Sequence, residues 1–201
     1  TQIMLKKSQL QWGGQNMAAE QEGPYTGEIS TLMLYEFGCR YVLLGHSERR
    51  HLYGETDAQI AQKFSLAIKL GLIPILCVGE TLAERQANQT FNILQNQLEK
   101  IINYGSDVLK RAIIAYEPVW AIGTGKVATP EEAAAVCGKI REAIAAEHGP
   151  EIADATRILY GGSVKANNVA GFLRSSEVDG VLVGGASLDA DEFSGIARFQ
   201  K

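Results

Sequence analysis

Two glycine pairs near the end of the chain, Tyr160-Gly161-Gly162-Ser163-Val164 and Val183-Gly184-Gly185-Ala186, say most about its architecture. Each follows a short apolar run, Arg157–Tyr160 and 180–183, and each precedes a helical pattern. Backbone amides freed at such a strand-to-helix turn form a cradle for an anion. A single pair also serves as a plain tight turn. Two in consecutive late units form a far more specific signal, placed where a parallel α/β barrel carries its phosphate site.

Working back from these turns, further strand patterns occur at 10–13, Tyr41–Leu44, Ile73–Val78 and 112–116. All are short and mostly apolar, as strands covered on both faces are. Helical patterns separate them at 30–36, Asp57–Lys69, 86–104, 129–148, 164–173 and 189–199. The helix at 129–148 opens with Thr129-Pro130-Glu131-Glu132, a capping box with proline in the first turn. Regular alternation predicts a parallel α/β fold in one domain spanning residues 1–201, with no linker or composition break. Alternation alone leaves both a doubly wound sheet and an eight-fold barrel open.

The chain has 201 residues with 19 basic and 23 acidic side chains, a net charge of −4. That balance argues against a broad nucleic-acid footprint and a polybasic membrane patch. No apolar run approaches the ~18 residues of a membrane span. Cys39, Cys77 and Cys137 are far apart and form no Cys-x-x-Cys, so neither a disulfide framework nor a zinc site is expected. A reducing, cytoplasmic setting follows, and Cys39 and Cys137 read as ordinary buried thiols. The opening at Thr1, inside a mixed polar stretch, reads as the continuation of a longer chain.

Two other strand ends carry chemistry. Gly45-His46-Ser47-Glu48-Arg49-Arg50 follows Tyr41–Leu44, which puts His46 on the ligand-binding face, as an acid or electrophile or as a hydrogen-bonded loop residue. Tyr116-Glu117 ends the strand 112–116, where partial desolvation would raise the carboxyl pKa and suit a general base. The stretch Pro118-Val119-Trp120-Ala121-Ile122-Gly123-Thr124-Gly125-Lys126 reads as a lid with a stiff start and a glycine tip. His51 and His148 suggest surface or packing positions.

Together with Cys77-Val78-Gly79-Glu80 and Val183-Gly184-Gly185-Ala186-Ser187-Leu188, these segments resemble the triosephosphate isomerase family, in the same order and over essentially the whole chain. Gly14-Gln15-Asn16 and Tyr25-Thr26-Gly27-Glu28-Ile29 are similar to its third strand–loop unit. The resemblance implies a TIM (β/α)8 barrel, here incomplete, with six units like the family's units three to eight. It implies interconversion of dihydroxyacetone phosphate and D-glyceraldehyde 3-phosphate through an enediolate, with no cofactor and no metal. His46 and Glu117 become the catalytic pair, and Gly123, Ser163, Gly184 and Gly185 the phosphate site. Glu48 and Cys77 become supporting residues, although a small packing role is the favoured reading of Cys77. The segment around Thr26 implies a homodimer, with no nucleic-acid or membrane partner. No Asn-x-Lys segment is present, and the family's lysine therefore has no counterpart here. A polypeptide of only these residues is expected to be a poor catalyst. Rival readings are a phosphate-binding barrel of other chemistry and a non-catalytic piece acting in folding or assembly.

Overall fold

The computed structural model of the chain describes residues 1–122 and 126–199. Six strands make one sheet: β1 (Gly13–Gly14), β2 (Tyr41–Leu44), β3 (Ile73–Val78), β4 (Ile113–Tyr116), β5 (Arg157–Tyr160) and β6 (Gly180–Val181). All five pairings are parallel, and each strand lies beside its predecessor. A doubly wound sheet needs a point where the strand order reverses. This order never reverses, so every crossover turns the same way and the sheet curls into an arc of an incomplete (β/α) barrel.

The long helices Asp57–Lys69, Thr90–Ile102 and Pro130–His148 back β2 to β5 and pack side by side. Their apolar stripes supply Ile60, Phe64, Leu94, Leu98, Ile140 and Ile144 to one hydrophobic core. All four residues of β4 are buried. This explains their continuous apolar sequence and delivers Glu117 to the strand end without a solvent-facing neighbour.

Several elements differ from the sequence expectation, among them the strand expected at 180–183, which is only Gly180–Val181. The first strand is only Gly13–Gly14, and Leu10 lies exposed outside it. A Cβ at Gly13 would overlap the Tyr41 carbonyl, so close pairing with β2 selects glycine here rather than an apolar run. The helix expected at 86–104 is two helices, Leu82–Gln86 and Thr90–Ile102. Asn88 breaks it with a left-handed φ of 56°, and a Thr81–Glu84 capping box starts the first part earlier. The stretch 164–173 is helical only over Val169–Leu173. The Asn168 side chain takes the Lys165 N–H at 2.8 Å and donates to the Ser163 carbonyl at 3.2 Å, holding a turn in place of helix. At the end, Asp189 caps Ala190–Ala197 through the amides of Asp191 and Glu192. No helix among the described residues is long and apolar enough to cross a membrane.

Candidate active site

The loops at the C-terminal ends of the strands surround a cavity of about 520 Å³. Its wall includes His46 and Glu48 after β2, Glu117 after β4, Ser163 after β5, and Gly184 and Gly185 after β6. Six residues expected from sequence thus converge on one space, together with Ile122 from the start of the lid. Gly123, Thr124 and Gly125 lie outside the described residues. Cys77 sits beneath the cavity, fully buried.

Glu117 continues the ladder beyond β4. Its N–H donates to the Val78 carbonyl at 2.7 Å, while the Gly161 N–H donates to the Tyr116 carbonyl at 2.8 Å. Two glycines make room for it. A Cβ at Gly79 would overlap the Glu117 carbonyl, and one at Gly161 would come within 2.8 Å of Glu117 Cγ. The Gln97 amide clamps both polar groups of Gly79, accepting from its N–H at 2.8 Å and donating to its carbonyl at 3.1 Å.

Glu117 is 3% exposed. Burial raises its pKa above the usual carboxylate range. The His46 ring, the Ser47 amide, the Cys77 thiol and Arg50 oppose that rise in decreasing order. His46 Nε2 stands 3.3 Å from Glu117 Oε1, and the Ser47 N–H donates to Oε2 at 3.4 Å. Both contacts are longer than normal hydrogen bonds and are readily exchanged for a ligand. Cys77, buried and bonded to Glu117, has its thiol pushed well above its ordinary value, first by burial and then by the carboxylate. It remains a protonated donor beneath the site and also packs, as expected of a small buried residue.

His46 owes its orientation to its loop. Gly45 adopts φ +71°, which turns the chain sharply after β2. Arg50 fastens the turn, donating to the Gly45 carbonyl at 2.7 Å, to Asp57 at 2.5 Å and to the Cys77 carbonyl at 3.1 Å. The Glu48 N–H donates to His46 Nδ1 at 3.2 Å. An accepting Nδ1 carries no proton, so this bonding pattern places the ring proton on Nε2, facing Glu117.

The segment expected to be a lid begins against a buried carboxylate. Glu80 is fully buried and accepts from the Tyr116 hydroxyl at 3.2 Å, from Trp120 Nε1 at 2.9 Å and from Arg85 at 3.4 Å. Arg85 also lies over the Trp120 ring, 4.5 Å from its centroid. The Val119 N–H donates to the Glu80 carbonyl at 3.0 Å. Further along, the Ser163 hydroxyl donates to the Ala121 carbonyl at 2.8 Å, joining the lid to the first glycine-pair turn. Pro118 and Ala121 are buried, Val119, Trp120 and Ile122 are half-buried, and Lys126 is exposed.

Sequence reasoning did not single out Gln97, Arg85, Arg50 or Asn16. Asn16 lines the cavity and accepts at 3.0 Å from Lys63, which is paired with the buried Glu55. The Thr81–Glu84 box sets the helix bearing Arg85, and Arg50 and Asn16 lie in segments that resemble the family, but nothing in the sequence assigned any of the four a role. The three histidines separate clearly. His51 is exposed, and half-buried His148 lies with Nε2 2.8 Å from the Ile102 carbonyl, a packing position. Cys137 is buried as expected, but Cys39 is only half-buried, because it sits in the exposed turn between helix Thr31–Glu36 and β2. Among the described residues no group of three or more His, Cys, Asp or Glu could hold a metal ion.

A buried carboxyl beside an imidazole, on the same cavity wall as two glycine-pair turns, can exchange a proton with a small anionic ligand. Comparison with known proteins shows the family. The family model described as Triosephosphate isomerase matches residues 1–200. The triosephosphate isomerase of Nitrosomonas eutropha is 53% identical over 196 residues, which cover 97% of this chain and 77% of that protein. That of Nitrosococcus oceani is 50% identical over 196 residues, covering 97% and 78%. That of Alcanivorax borkumensis is 54% identical over 187 residues, covering 92% and 75%.

Proposed function

The chain belongs to the triosephosphate isomerase family and is an isomerase, and from that premise we propose that it interconverts dihydroxyacetone phosphate and D-glyceraldehyde 3-phosphate by proton transfer through an enediolate. The observation that carries this reading is the buried Glu117 carboxylate 3.3 Å from His46 Nε2 at the wall of the cavity. Glu117 removes a proton from the carbon beside the carbonyl. The C–H electron pair moves to the new carbon–carbon double bond, and the carbonyl oxygen becomes an enediolate oxygen. His46, with its proton on Nε2, gives up its long contact with Glu117, polarises the carbonyl and shuttles protons between the two oxygens. Glu117 then returns a proton to the neighbouring carbon. Substrate displaces the Ser47 and His46 contacts of Glu117 at small cost, because both exceed the normal hydrogen-bond length.

The phosphate rests on amides of Ser163, Gly184 and Gly185, which share the cavity wall. A Cβ at Gly184 or Gly185 would meet nothing within 4 Å, so that part of the wall is open to a ligand. The lid from Pro118 to Lys126 keeps water from the enediolate, which otherwise expels its phosphate. Cys77 and Glu48 support the pair. Cytoplasmic location and a homodimer complete the reading. The dimer is supported by the exposed apolar side chains of Tyr25, Ile29, Leu32, Met33, Leu52 and Tyr53, which flank the segment around Thr26 and the end of the His46 loop.

The test replaces the base. Glu117→Gln is expected to keep the fold and to lower kcat by about 10²–10⁴-fold, the range supplied by a positioned general base. A folded Glu117→Gln protein that isomerises triose phosphate at near-parental rate would overturn the assignment.

A further inference from the structure

The charged side chains of the cavity wall are Glu48, Arg49, Glu117 and Lys165, beside the His46 ring. The two carboxylates would repel an anionic ligand. Arg49 is committed elsewhere, 3.3 Å from Glu55 and 5.0 Å over the Tyr53 ring. Lys165 is exposed, and its ammonium makes no hydrogen bond or ion pair among the described residues. It stands two residues after Ser163, in the turn that follows the first glycine pair, and lines the same cavity as Gly184 and Gly185.

That turn is rigidly placed. Asn168 holds the Lys165 N–H at 2.8 Å and the Ser163 carbonyl at 3.2 Å. From the neighbouring helix Ala190–Ala197, Glu192 accepts the Ala166 N–H at 3.2 Å. Glu192 is thereby engaged with backbone beside Lys165. A flexible cation on a fixed base, at the rim of a wall of neutral amides, supplies what those amides lack, a full positive charge.

We propose that Lys165 is a binding residue for the phosphate group of the substrate, drawing the dianion to the amides of Ser163, Gly184 and Gly185. This rests on the triose phosphate reading of the cavity. Its action is electrostatic: it raises the local concentration of a doubly charged ligand and favours phosphorylated over neutral trioses.

The experiment compares the parent enzyme with Lys165→Met, which keeps the apolar stem, and Lys165→Arg, which keeps the charge. Kinetics with glyceraldehyde 3-phosphate are measured at about 0.01 M and about 1 M salt, where the screening length falls from ~30 Å to ~3 Å. Inorganic phosphate is titrated in parallel by calorimetry. At low salt Lys165→Met is expected to lower kcat/KM roughly tenfold, within the range of electrostatic steering. The loss should lie in KM, shrink at high salt, be accompanied by weaker phosphate binding and be restored in Lys165→Arg. Unchanged KM and phosphate affinity in Lys165→Met, or a loss equal at both salt concentrations, would overturn the proposal. Where a polypeptide of only these residues turns over too little triose phosphate for kinetics, the phosphate titration decides alone: weaker binding in Lys165→Met with recovery in Lys165→Arg supports the proposal, and unchanged binding overturns it.

Discussion

At Glu117, burial and function pull in opposite directions. The folded chain holds the Glu117 proton more tightly than the unfolded chain does, because its ionised form is desolvated. With the folded pKa raised, the protonated carboxyl favours folding fully below the unfolded pKa, and that contribution is lost as pH rises through the folded value. Glu117→Gln removes this titration. Denaturant unfolding from acid to neutral pH should therefore show the variant gaining stability relative to the parent across that window. The acid limb of the parental kcat/KM profile should also lie above that of an ordinary carboxylate, since the base must be ionised. A stability difference independent of pH would contradict the burial account. At this scale the sequence was informative on where His46 and Glu117 stand, because strand ends fix where side chains emerge. It was silent on Gln97 and Arg50, whose parts depend on contacts made 18 and 27 residues away, with Gly79 and Cys77.

Among the elements, the strand ends were legible and the helix limits less so. Apolar runs bounded by glycine or charge located β2, β3 and β5 to the residue, since strands covered on both faces have few other sequences open to them. The helix limits failed at Asn88, which takes a left-handed φ of 56°, and at Asn168, whose side chain competes with the backbone. The lid start was read from its proline and tryptophan, but its anchor, Glu80, needs the three-dimensional meeting of Tyr116, Trp120 and Arg85. The junction of β3 and β4 yields a sharp expectation. Gly79→Ala would drive a Cβ into the Glu117 carbonyl, a backbone group that cannot swing aside. The end of β4 must shift, and a displacement of about 1 Å at the base costs on the order of 10² in kcat. Steady-state kinetics on the folded variant measure this. A Gly79→Ala enzyme with parental kcat would show that Gly79 does not set the position of Glu117.

For the whole molecule, the sequential parallel order of six strands accounts for a cavity lined by the ends of β1, β2, β4, β5 and β6. The same geometry turns the segment around Thr26 and the end of the His46 loop outward, with Leu52 and Tyr53 about three quarters exposed. Association through this surface predicts that sedimentation equilibrium reports twice the chain mass. Ile29→Glu with Met33→Glu should shift the population toward monomer, whereas a parental protein that stays monomeric at high concentration would contradict the dimer. The central claim, proton transfer through an enediolate by Glu117 and His46, is tested most directly by running the isomerisation in deuterium oxide and locating deuterium in the product. The account predicts solvent deuterium on the carbon that receives the proton, with incorporation abolished alongside turnover in Glu117→Gln. Product formed at the parental rate with no solvent deuterium at that carbon would mean direct hydrogen migration and would contradict it.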